Sequence, residues 1–319
     1  MDMELRQLAP RVFACLQEER GLGTSNSGLV NAGGGLVVDT FWDLPHTREL
    51  IAHYARVWTG PARRVVNTHH NGDHTWGNQL FRDVEIIGHR ECAAGMARER
   101  PDVMMMLRGS RDSADPVAAD LARQLEPWDF TGVTPTPPTT LLDERTRLDL
   151  DGVEIQLIPV GPAHTAGDVV VHLPEAGILF AGDVLFRLCT PIGWDGTYDG
   201  WIGALDTIIA LAPDVIVPGH GPLCGLEGPR EMRAYLVHVR NEARHFFARG
   251  VPALEAAARI DLGPYAAWTE PERIYFQVER AYRELRGEPY DAPFDVGAMF
   301  RGMWELRQRR LSGRTTAHA

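Results

Sequence analysis

Short apolar runs, separated by polar or glycine-rich segments, recur along the first two thirds of the chain. Such runs, bounded by turn residues, predict short buried strands. Residues 28–39 predict two strands joined by a glycine-rich turn, and an Asp-Gly dipeptide predicts a hairpin between strands 147–150 and 153–159. Residues 1–20 mix apolar and charged positions and lead into Gly21-Leu-Gly, and we assign no element to them. The other predicted strands are residues 64–67, 84–88, 169–173, 178–181 and 215–217.

Apolar positions at helical spacing predict the remaining elements. One helix starts at a proline and covers 45–58, and another covers 201–211. Residues 90–131 are rich in Ala, Met, Arg and Leu, and they predict two or three helices inserted between strands. An extended Pro/Thr connector follows at 133–140, and the chain from residue 229 onward has helical character. The sequence therefore predicts an α/β fold with a helical insertion and a helical C-terminal extension.

Composition and charge narrow the class of protein. Of the 319 residues, 44% are hydrophobic and 24% are charged, as in ordinary soluble globular proteins. The formal net charge of -11 argues against nucleic acid and membrane surfaces as partners. No apolar run approaches the roughly 20 residues of a membrane span, and the N-terminus lacks a signal-peptide pattern. The four cysteines are scattered without C-x-x-C spacing, so we expect a cytoplasmic protein with reduced thiols.

The most informative motif is a run of polar side chains that follows the predicted strand at 64–67. Within residues 68–74 the chain carries His69, His70, Asn71, Asp73 and His74. Three motifs downstream follow or end apolar runs, and they contribute His164 with Asp168, then Asp183, then His220. Imidazole nitrogens and carboxylate oxygens on successive strand ends can build a site for a divalent ion such as zinc.

In order and spacing these motifs resemble those of the metallo-β-lactamase-fold hydrolases. The family patterns are H-x-H-x-D-H, which this chain matches except for Asn71 at the second histidine, and G-x-x-H-T-x-G-D, F-x-G-D and P-G-H-G, all within residues 20–225. The resemblance implies a four-layer αβ/βα sandwich over residues 1–228 that contains the helical insertion at 90–131. It also implies a one- or two-metal site at one edge of the sandwich, and residues 229–319 then form the helical extension.

The resemblance further implies how two metal sites would share their ligands. The implied sets are His69, position 71 and His164 for the first site, Asp73, His74 and His220 for the second, and Asp183 as the bridge. The family usually has histidine where this chain has Asn71, and an amide oxygen is a poorer zinc donor than imidazole. Three outcomes stay open: a first site with lower affinity, a single metal in the second site, or a harder ion such as Mn²⁺ or Fe²⁺ in the first.

Alternation along the extended segment separates the two neighbouring histidines. Successive side chains of an extended chain point to opposite faces, so His69 and Asn71 share one face and His70 takes the other. We therefore predict that His69 is a ligand and that His70 is only a neighbour. Asp73, beside the metal, is predicted to orient or deprotonate the attacking water, and Asp168 is predicted to hold its loop.

Aromatic and methionine side chains near the motifs predict the substrate side of the site. Such side chains form adaptable apolar pockets, although we expect at least half of them to belong to the core. They favour a bulky apolar or aromatic substrate over a small charged one. The candidates are Phe41, Trp42, Trp76, Phe186, Trp194 and Met105.

Together these inferences predict a metal-dependent hydrolase of an ester-like acyl bond, a thioester, lactone or ester, with metal-bound hydroxide as the attacking group. Residues 68–78 are also similar to the cyclase–thioesterases of bacterial aromatic polyketide pathways. The substrate would then be a small-molecule or carrier-bound acyl compound. Two alternatives stay open: an iron-dependent oxygenase of the same fold that uses His69, His164 and Asp183, or a non-catalytic metal-binding protein. The sequence also leaves the oligomeric state open.

Overall fold

The computed structural model describes residues 2–18, 21–58, 60–193 and 195–316, with side chains up to residue 312. The strands in these ranges form a seven-stranded and a five-stranded sheet. The first sheet contains, in spatial order, β1 (Met3–Ala9), β2 (Val12–Gln17), β3 (Ser27–Val30), β4 (Leu36–Val38), β5 (Arg64–Val66), β6 (Glu85–His89) and β7 (Thr140–Leu142). The second sheet has the order β12-β11-β10-β9-β8, formed by β8 (Thr146–Leu150), β9 (Val153–Pro159), β10 (Val169–Leu173), β11 (Ile178–Phe186) and β12 (Val215–His220).

Strand direction changes within each sheet. In the first sheet, β1 to β4 pair antiparallel, whereas β4 to β7 pair parallel and are joined by crossovers. In the second sheet, β8 to β11 are antiparallel, and β11 pairs parallel with β12. Three of the four predicted ligand motifs follow β5 or lie on β11 and β12, in the parallel parts of the sheets, whereas the motif with His164 lies in the loop between the antiparallel strands β9 and β10.

The helices lie outside the two sheets or follow them in the chain. Among the described residues, no helix is both long enough and apolar enough to cross a membrane. The helices are α1 (Leu44–Tyr54), α2 (Gly72–Thr75), α3 (Arg90–Met96), α4 (Pro101–Arg108), α5 (Pro116–Gln124), α6 (Tyr198–Leu211), α7 (Glu227–Ala248), α8 (Ala253–Arg259), α9 (Ile274–Leu285) and α10 (Val296–Thr316). Short 3₁₀ turns occur at Trp76–Leu80, Pro174–Ala176, Gly263–Ala267 and Pro271–Arg273.

Packing of the sheets confirms the predicted αβ/βα sandwich. Val66 of the first sheet and Phe180 of the second belong to one buried core between the two inner faces. On the outer face of the first sheet, Leu50 of α1 packs against Val65 and its neighbours. On the outer face of the second sheet, helices α6 to α9 enclose a larger core. The layers therefore run helix, sheet, sheet, helix.

The helical insertion and the helical extension contact each other. Helices α3 to α5 lie within residues 90–131, as predicted, and the extension consists of α7 to α10. Arg301 and Arg307 of α10 pair with Asp115 and Asp120 at the start and in the body of α5, both at 2.8 Å. These pairs are partly exposed, so each contributes modestly to stability. Their consequence is geometric, because they hold two segments remote in sequence side by side.

Capping side chains set the limits of the helices that flank the site. Asp43 accepts a hydrogen bond from the backbone N–H of His46 at 2.8 Å, which begins α1 at a proline-containing first turn. Thr197 accepts one from the N–H of Gly200 at 3.0 Å, so α6 begins three residues earlier than the predicted 201–211. α1 ends at Tyr54, four residues before the predicted limit, because residues 55–57 form a turn.

The hairpin of β1 and β2 lies within residues 1–20, to which the sequence pattern assigned no element. Its turn contains no glycine; Arg11 itself takes a positive φ of 68°. β1 is mostly half-exposed or exposed, and its register shifts between Gln7 and Ala9. The two signals that reveal the other hairpins, a turn glycine and a clean alternation of apolar residues, are therefore weak in this segment.

Candidate metal centre

The loop after β5 brings the first group of predicted ligands together. The chain leaves β5 at Val66 and turns into α2, with Asp73 and His74 in its single turn. At Gly72 a Cβ would lie 2.4 Å from the Trp76 indole, so only glycine allows this close turn. The rings of His69 and His74 consequently lie 4.4 Å apart, centroid to centroid, and both are fully buried.

Asp183 is the centre of the cluster. Its Oδ1 lies 3.1 Å from Nε2 of His74, and its Oδ2 lies 3.2, 3.4 and 3.7 Å from the Nε2 atoms of His220, His164 and His69. The sequence predicts a strand at 178–181 that ends before this residue, whereas β11 continues to Phe186 and contains it. A Cβ on Gly219 would lie 2.0 Å from Asp183 Oδ1, so β12 can approach only because this position is glycine.

Asp73 and Asn71 lie on either side of this centre. Asp73 Oδ2 is 3.5 Å from Nε2 of His220 and 3.9 Å from Nε2 of His74. Asn71 Oδ1 is 2.9 Å from Nε2 of His164, in hydrogen-bond contact. Ligand atoms within 4.8 Å of one another occur in two sets, His69 with His74 and Asp183, and Asp73 with His74 and His220. The structure thus brings together all seven side chains that the sequence assigns to the metal.

Hydrogen bonds to the remote ring nitrogen orient three of the four histidines. A partner on that nitrogen fixes the tautomer and direction of a ligating imidazole. The pairs are His69 Nδ1 with Thr68 Oγ1 (3.0 Å), His74 Nδ1 with Asp39 Oδ2 (3.1 Å) and His220 Nδ1 with the Thr24 carbonyl (2.7 Å). Asp39 and Thr24 were not predicted from the sequence. The position of Asp39 directly after an apolar strand was a signal for it, whereas nothing local marks Thr24.

The donor atoms fit a divalent cation. His69 Nε2 and Asp183 Oδ1 are buried and have no hydrogen-bond partner in the described chain. Burial lowers the pKa of His69 well below its usual value, which leaves a neutral ring with a free lone pair. Burial alone would raise the pKa of Asp183, but His220, His74 and His69 hold it well below its usual range. Neutral imidazoles around an ionised carboxylate are the donors that zinc and similar ions prefer.

Two other rings of the cluster would exchange protons for a metal. Burial opposes protonation of His74 and His220, but the carboxylates of Asp183 and Asp73 outweigh it and raise the pKa of both rings. A ligating imidazole must be neutral, so a cation that binds here displaces these protons. The same carboxylates that stabilise the protons would stabilise the ion that replaces them.

His70 and Asp168 lie outside the cluster. The His70 ring packs on α3, where a Cβ on Gly95 would lie 2.4 Å from it, and its Nε2 is 4.0 Å from Glu99 and 3.9 Å from Asp195. Burial, followed by the charges of Asp73 and Asp195, raises the pKa of Glu99 to about 8.

Asp168 accepts hydrogen bonds from the N–H and hydroxyl of Thr165 at 2.8 and 2.7 Å and so closes the loop that carries His164.

The predicted substrate-side residues divide between core and site. Phe186 stacks on the His220 ring, with centroids 4.8 Å apart and planes at 12°. Trp42 and Trp76 belong to a buried aromatic cluster with Trp128 and Phe130. Phe41 is fully buried against the first sheet and α1, so it is a core residue, and Met105 on α4 is 50% exposed. Trp194 lies outside the described residues.

A sequence profile of the metallo-beta-lactamase superfamily matches residues 20–220. The chain belongs to this superfamily. The match runs to the end of β12 and contains every residue of the cluster. Within the matched residues, the grouped His and Asp side chains could hold a metal ion.

Curated relatives of this superfamily member carry several activities in their names. A linear primary-alkylsulfatase of Pseudomonas sp. is 22% identical over 296 residues, 81% of this chain and 56% of the relative. A 2,4-dinitroanisole O-demethylase subunit alpha of Nocardioides sp. is 27% identical over 195 residues, 59% and 49% of the two chains. A hydroxyacylglutathione hydrolase of Rhodospirillum rubrum is 28% identical over 250 residues, 76% and 79%. The chain spans about half the length of the first two relatives, 56% and 49%.

Solved structures share the fold. A sec-alkylsulfatase from Pseudomonas sp. aligns with 92% of this chain and 52% of its own, with a TM-score of 0.63 and 19% identity. A metallo-beta-lactamase from Pontibacter korlensis aligns with 73% of this chain and 98% of its own, with a TM-score of 0.55 and 19% identity. At 19% identity the likeness supports the sandwich fold and gives no information about the substrate.

Proposed function

We propose that this chain is a metal-dependent hydrolase of an ester-like acyl bond, that is, a thioester, lactone or ester. The observation that carries the proposal is the Asp183 carboxylate, which lies within 3.1 to 3.7 Å of the Nε2 atoms of four buried histidines. We expect this cluster to hold one or two zinc ions. Mn²⁺ or Fe²⁺ are the alternatives that a weaker site at Asn71 would admit.

Asp73 is the residue that we propose to handle the proton of the attacking water. A divalent ion in such a centre lowers the pKa of bound water to about 7 and polarises a carbonyl. The side chain of Asp73 is 17% exposed, against 4% for Asp183, so it is the carboxylate of the cluster that a water can reach. Its Oδ2 atom can accept the proton and hold the water in position, since general bases act over one hydrogen bond. Asp183 is buried among four rings and serves as a ligand.

The surroundings of the cluster favour a bulky, uncharged acyl group. Phe186 and Trp76 lie beside the ligands and are 3% and 1% exposed, so they make the surroundings of the cluster apolar. Burial, with the charges of Asp73 and Asp195, raises the pKa of Glu99 to about 8, so Glu99 is largely protonated near pH 7 and the two aspartates supply the negative charge. Negative charge in a half-buried site repels an anionic substrate. A small-molecule or carrier-bound acyl compound meets these conditions, and the similarity of residues 68–78 to cyclase–thioesterases supports a polyketide acyl chain as the first candidate.

A sulfate-ester hydrolase is the second candidate function. The likeness to alkylsulfatases covers 81% of the chain in sequence and 92% in structure, so it includes part of the helical extension. The likeness to the metallo-beta-lactamase structure covers 73%. We place this function second because the aspartates beside the cluster, Asp73 and Asp195, oppose the negative charge of a sulfate ester.

A substrate panel separates the two candidates. We would measure p-nitrophenyl acetate, an aryl thioester, a γ-lactone and p-nitrophenyl sulfate with zinc-loaded protein, with chelator-treated protein, and after zinc is restored. We expect acyl hydrolysis that disappears with the metal and returns with zinc. Hydrolysis of the sulfate alone would favour the second candidate, and activity that survives full metal removal would contradict both.

The proposed polyketide substrate requires a separate assay. A phosphopantetheine-linked aromatic polyketide thioester tests whether the enzyme releases a carrier-bound acyl chain and whether the released product is cyclised. We expect release faster than from the small thioester. Iron in the purified protein together with oxygen uptake would instead indicate the oxygenase alternative.

A further inference from the structure

His164 differs from the other three histidines of the cluster. The remote nitrogens of His69, His74 and His220 are hydrogen-bonded, whereas Nδ1 of His164 is buried and has no partner in the described part of the chain. A ligating imidazole without such a partner is free to rotate unless something else fixes it. Its Nε2 contacts Asn71 Oδ1 at 2.9 Å, but a bound ion would replace that contact, so the orientation of a ligating His164 must come from its backbone and from the side chains that pack on its ring.

The backbone of the His164 loop is held against the segment that begins α6. A Cβ on Gly196, which has φ of 68°, would lie 2.2 Å from the Ala163 carbonyl oxygen. A Cβ on Gly200 would lie 1.9 Å from the Pro162 carbonyl oxygen. These two glycines allow the loop to approach the start of α6 so closely.

Arg280 of α9 contacts this loop from the extension. Its Nη2 donates a hydrogen bond of 2.7 Å to the carbonyl of Ala163, the residue that directly precedes His164. Its guanidinium carbon lies 5.1 Å from the centroid of the Trp201 ring. That ring in turn meets the His164 ring edge to face at 5.3 Å. One side chain thus touches both the backbone and the aromatic neighbour of the histidine.

The burial of Arg280 is costly and calls for an explanation. The residue is 3% exposed, and its Nε and Nη1 atoms have no hydrogen-bond partner among the described residues. Its ion-pair contact with Glu284 is 3.9 Å long. Buried donors without acceptors reduce stability, and an apolar side chain of similar length would avoid that cost. The contact with the His164 loop is the gain that offsets it.

We propose that Arg280 is a positioning residue of the metal centre. From the helical extension, it holds His164 in its ligating orientation. In the other three histidines, a hydrogen bond at the remote ring nitrogen has this function. The inference rests on the proposed metal centre and is independent of which bond the enzyme hydrolyses. It also gives the extension a role in the centre, although the four histidines all lie before residue 229.

Zinc affinity of Arg280→Met tests the inference. Methionine has a similar length but lacks the donor and the charge. We expect the zinc ion held by His69, Asn71 and His164 to bind about 10-fold more weakly in competition with a chelator, the lower end of the effect of residues that orient metal ligands. We also expect a changed visible absorption spectrum in the Co²⁺-loaded protein, because the ligand field reports the position of the histidine.

Arg283→Met is the matched control. Arg283 lies on the same helix, donates its Nη2 to the Ala292 carbonyl at 2.6 Å, pairs with Glu288 and lies 5.2 Å from the Phe294 ring. It therefore repeats the chemistry of Arg280 away from the metal centre. We expect zinc affinity and the Co²⁺ spectrum of this variant to match those of the wild type.

A double-mutant cycle separates positioning from general damage to the fold. In a His164→Ala background, Arg280→Met should cause no further loss of zinc affinity, because its target is gone. An equal loss in both backgrounds, or wild-type affinity and spectrum in Arg280→Met, would overturn the inference. If Arg280→Met does not fold, Arg280→Gln stays polar but is too short to reach the Ala163 carbonyl, and wild-type affinity together with an unchanged spectrum in that variant would overturn the inference in the same way. A wild-type protein that binds no zinc would instead refute the metal centre itself.

Discussion

The two halves of the candidate metal centre differ in charge and in how their side chains are held. The carboxylate half consists of Asp73, His74 and His220, the amide half consists of His69, Asn71 and His164, and Asp183 contacts both. In the carboxylate half, both rings have hydrogen-bonded remote nitrogens, and a carboxylate faces them at 3.5 and 3.9 Å. In the amide half, a neutral side chain takes the corresponding place, 2.9 Å from His164.

This difference predicts unequal affinity for metal. A carboxylate adds Coulombic attraction for a cation that an amide oxygen of the same reach cannot add. The amide half must also rely on the Arg280 contact to fix one of its rings. We therefore expect the first ion to bind in the carboxylate half and a second ion to bind more weakly in the amide half. Substitutions in the two halves should then differ in effect.

Asp183→Ala should have the largest effect, because Asp183 belongs to both halves. We expect the protein to lose all bound zinc after dialysis against a chelator and to lose activity. The zinc affinity should fall by more than about 100-fold, the upper end of the effect of residues that only orient metal ligands. Elemental analysis and circular dichroism on the same sample measure metal content and fold. A folded Asp183→Ala protein that retains wild-type zinc would show that the cluster is not organised around this carboxylate.

His220→Ala and His164→Ala compare the halves directly. We expect His220→Ala to remove the tightly bound ion and His164→Ala to remove only the weaker one, since His220 faces two carboxylates and His164 one. Isothermal titration of metal-free protein with zinc gives the affinity of each step. His172→Ala is the control, because His172 is a buried histidine of the same sheet outside the cluster. Equal losses in the two variants would refute the proposed asymmetry.

Asn71→His should reduce the asymmetry. A third imidazole in the amide half replaces a poor zinc donor with a good one, and we expect affinity for the second ion to rise by about 10-fold or more. Asn71→Ala provides the comparison, and it should bind the second ion no better than the wild type. Competition with a chelator of known affinity measures the change. Wild-type protein that already binds two zinc ions as tightly as Asn71→His would show that the amide is no handicap.

The metal cluster could be predicted from sequence because each motif is local. His69, Asp73 and His74 lie within six residues, and each of the others follows or ends an apolar run. What orients them could not be predicted in the same way. The contact between Arg280 and Ala163 spans 117 residues, and that between Thr24 and His220 spans 196. Such contacts are created by the packing of the layers, and no local sequence pattern predicts them.

The fold shows the same division. The strands that flank a glycine turn or an Asp-Gly dipeptide were predicted close to their observed limits, whereas the β1–β2 hairpin turns at Arg11 without glycine. The sequence placed several aromatic residues near the ligand motifs, but it did not show which side of the chain each side chain packs on. Phe41 lies one residue before Trp42, yet it packs against the first sheet, while Trp42 joins the aromatic cluster. Alternation decides between such neighbours only where the strand limits are known.

His70→Ala should have the smallest effect on metal binding, and it tests the division between faces of the loop. The His70 ring is held against α3 near Gly95 and faces Glu99 and Asp195, so it belongs to neither half. We expect the zinc stoichiometry to remain that of the wild type. Both zinc affinities should change by less than about 10-fold, the lower end of the effect of residues that orient metal ligands. His69→Ala, the adjacent substitution, should weaken the amide half. If His70→Ala instead removes an equivalent of zinc, then the ring leaves α3 when metal binds and replaces the missing histidine at position 71, and the amide half is not the weaker one.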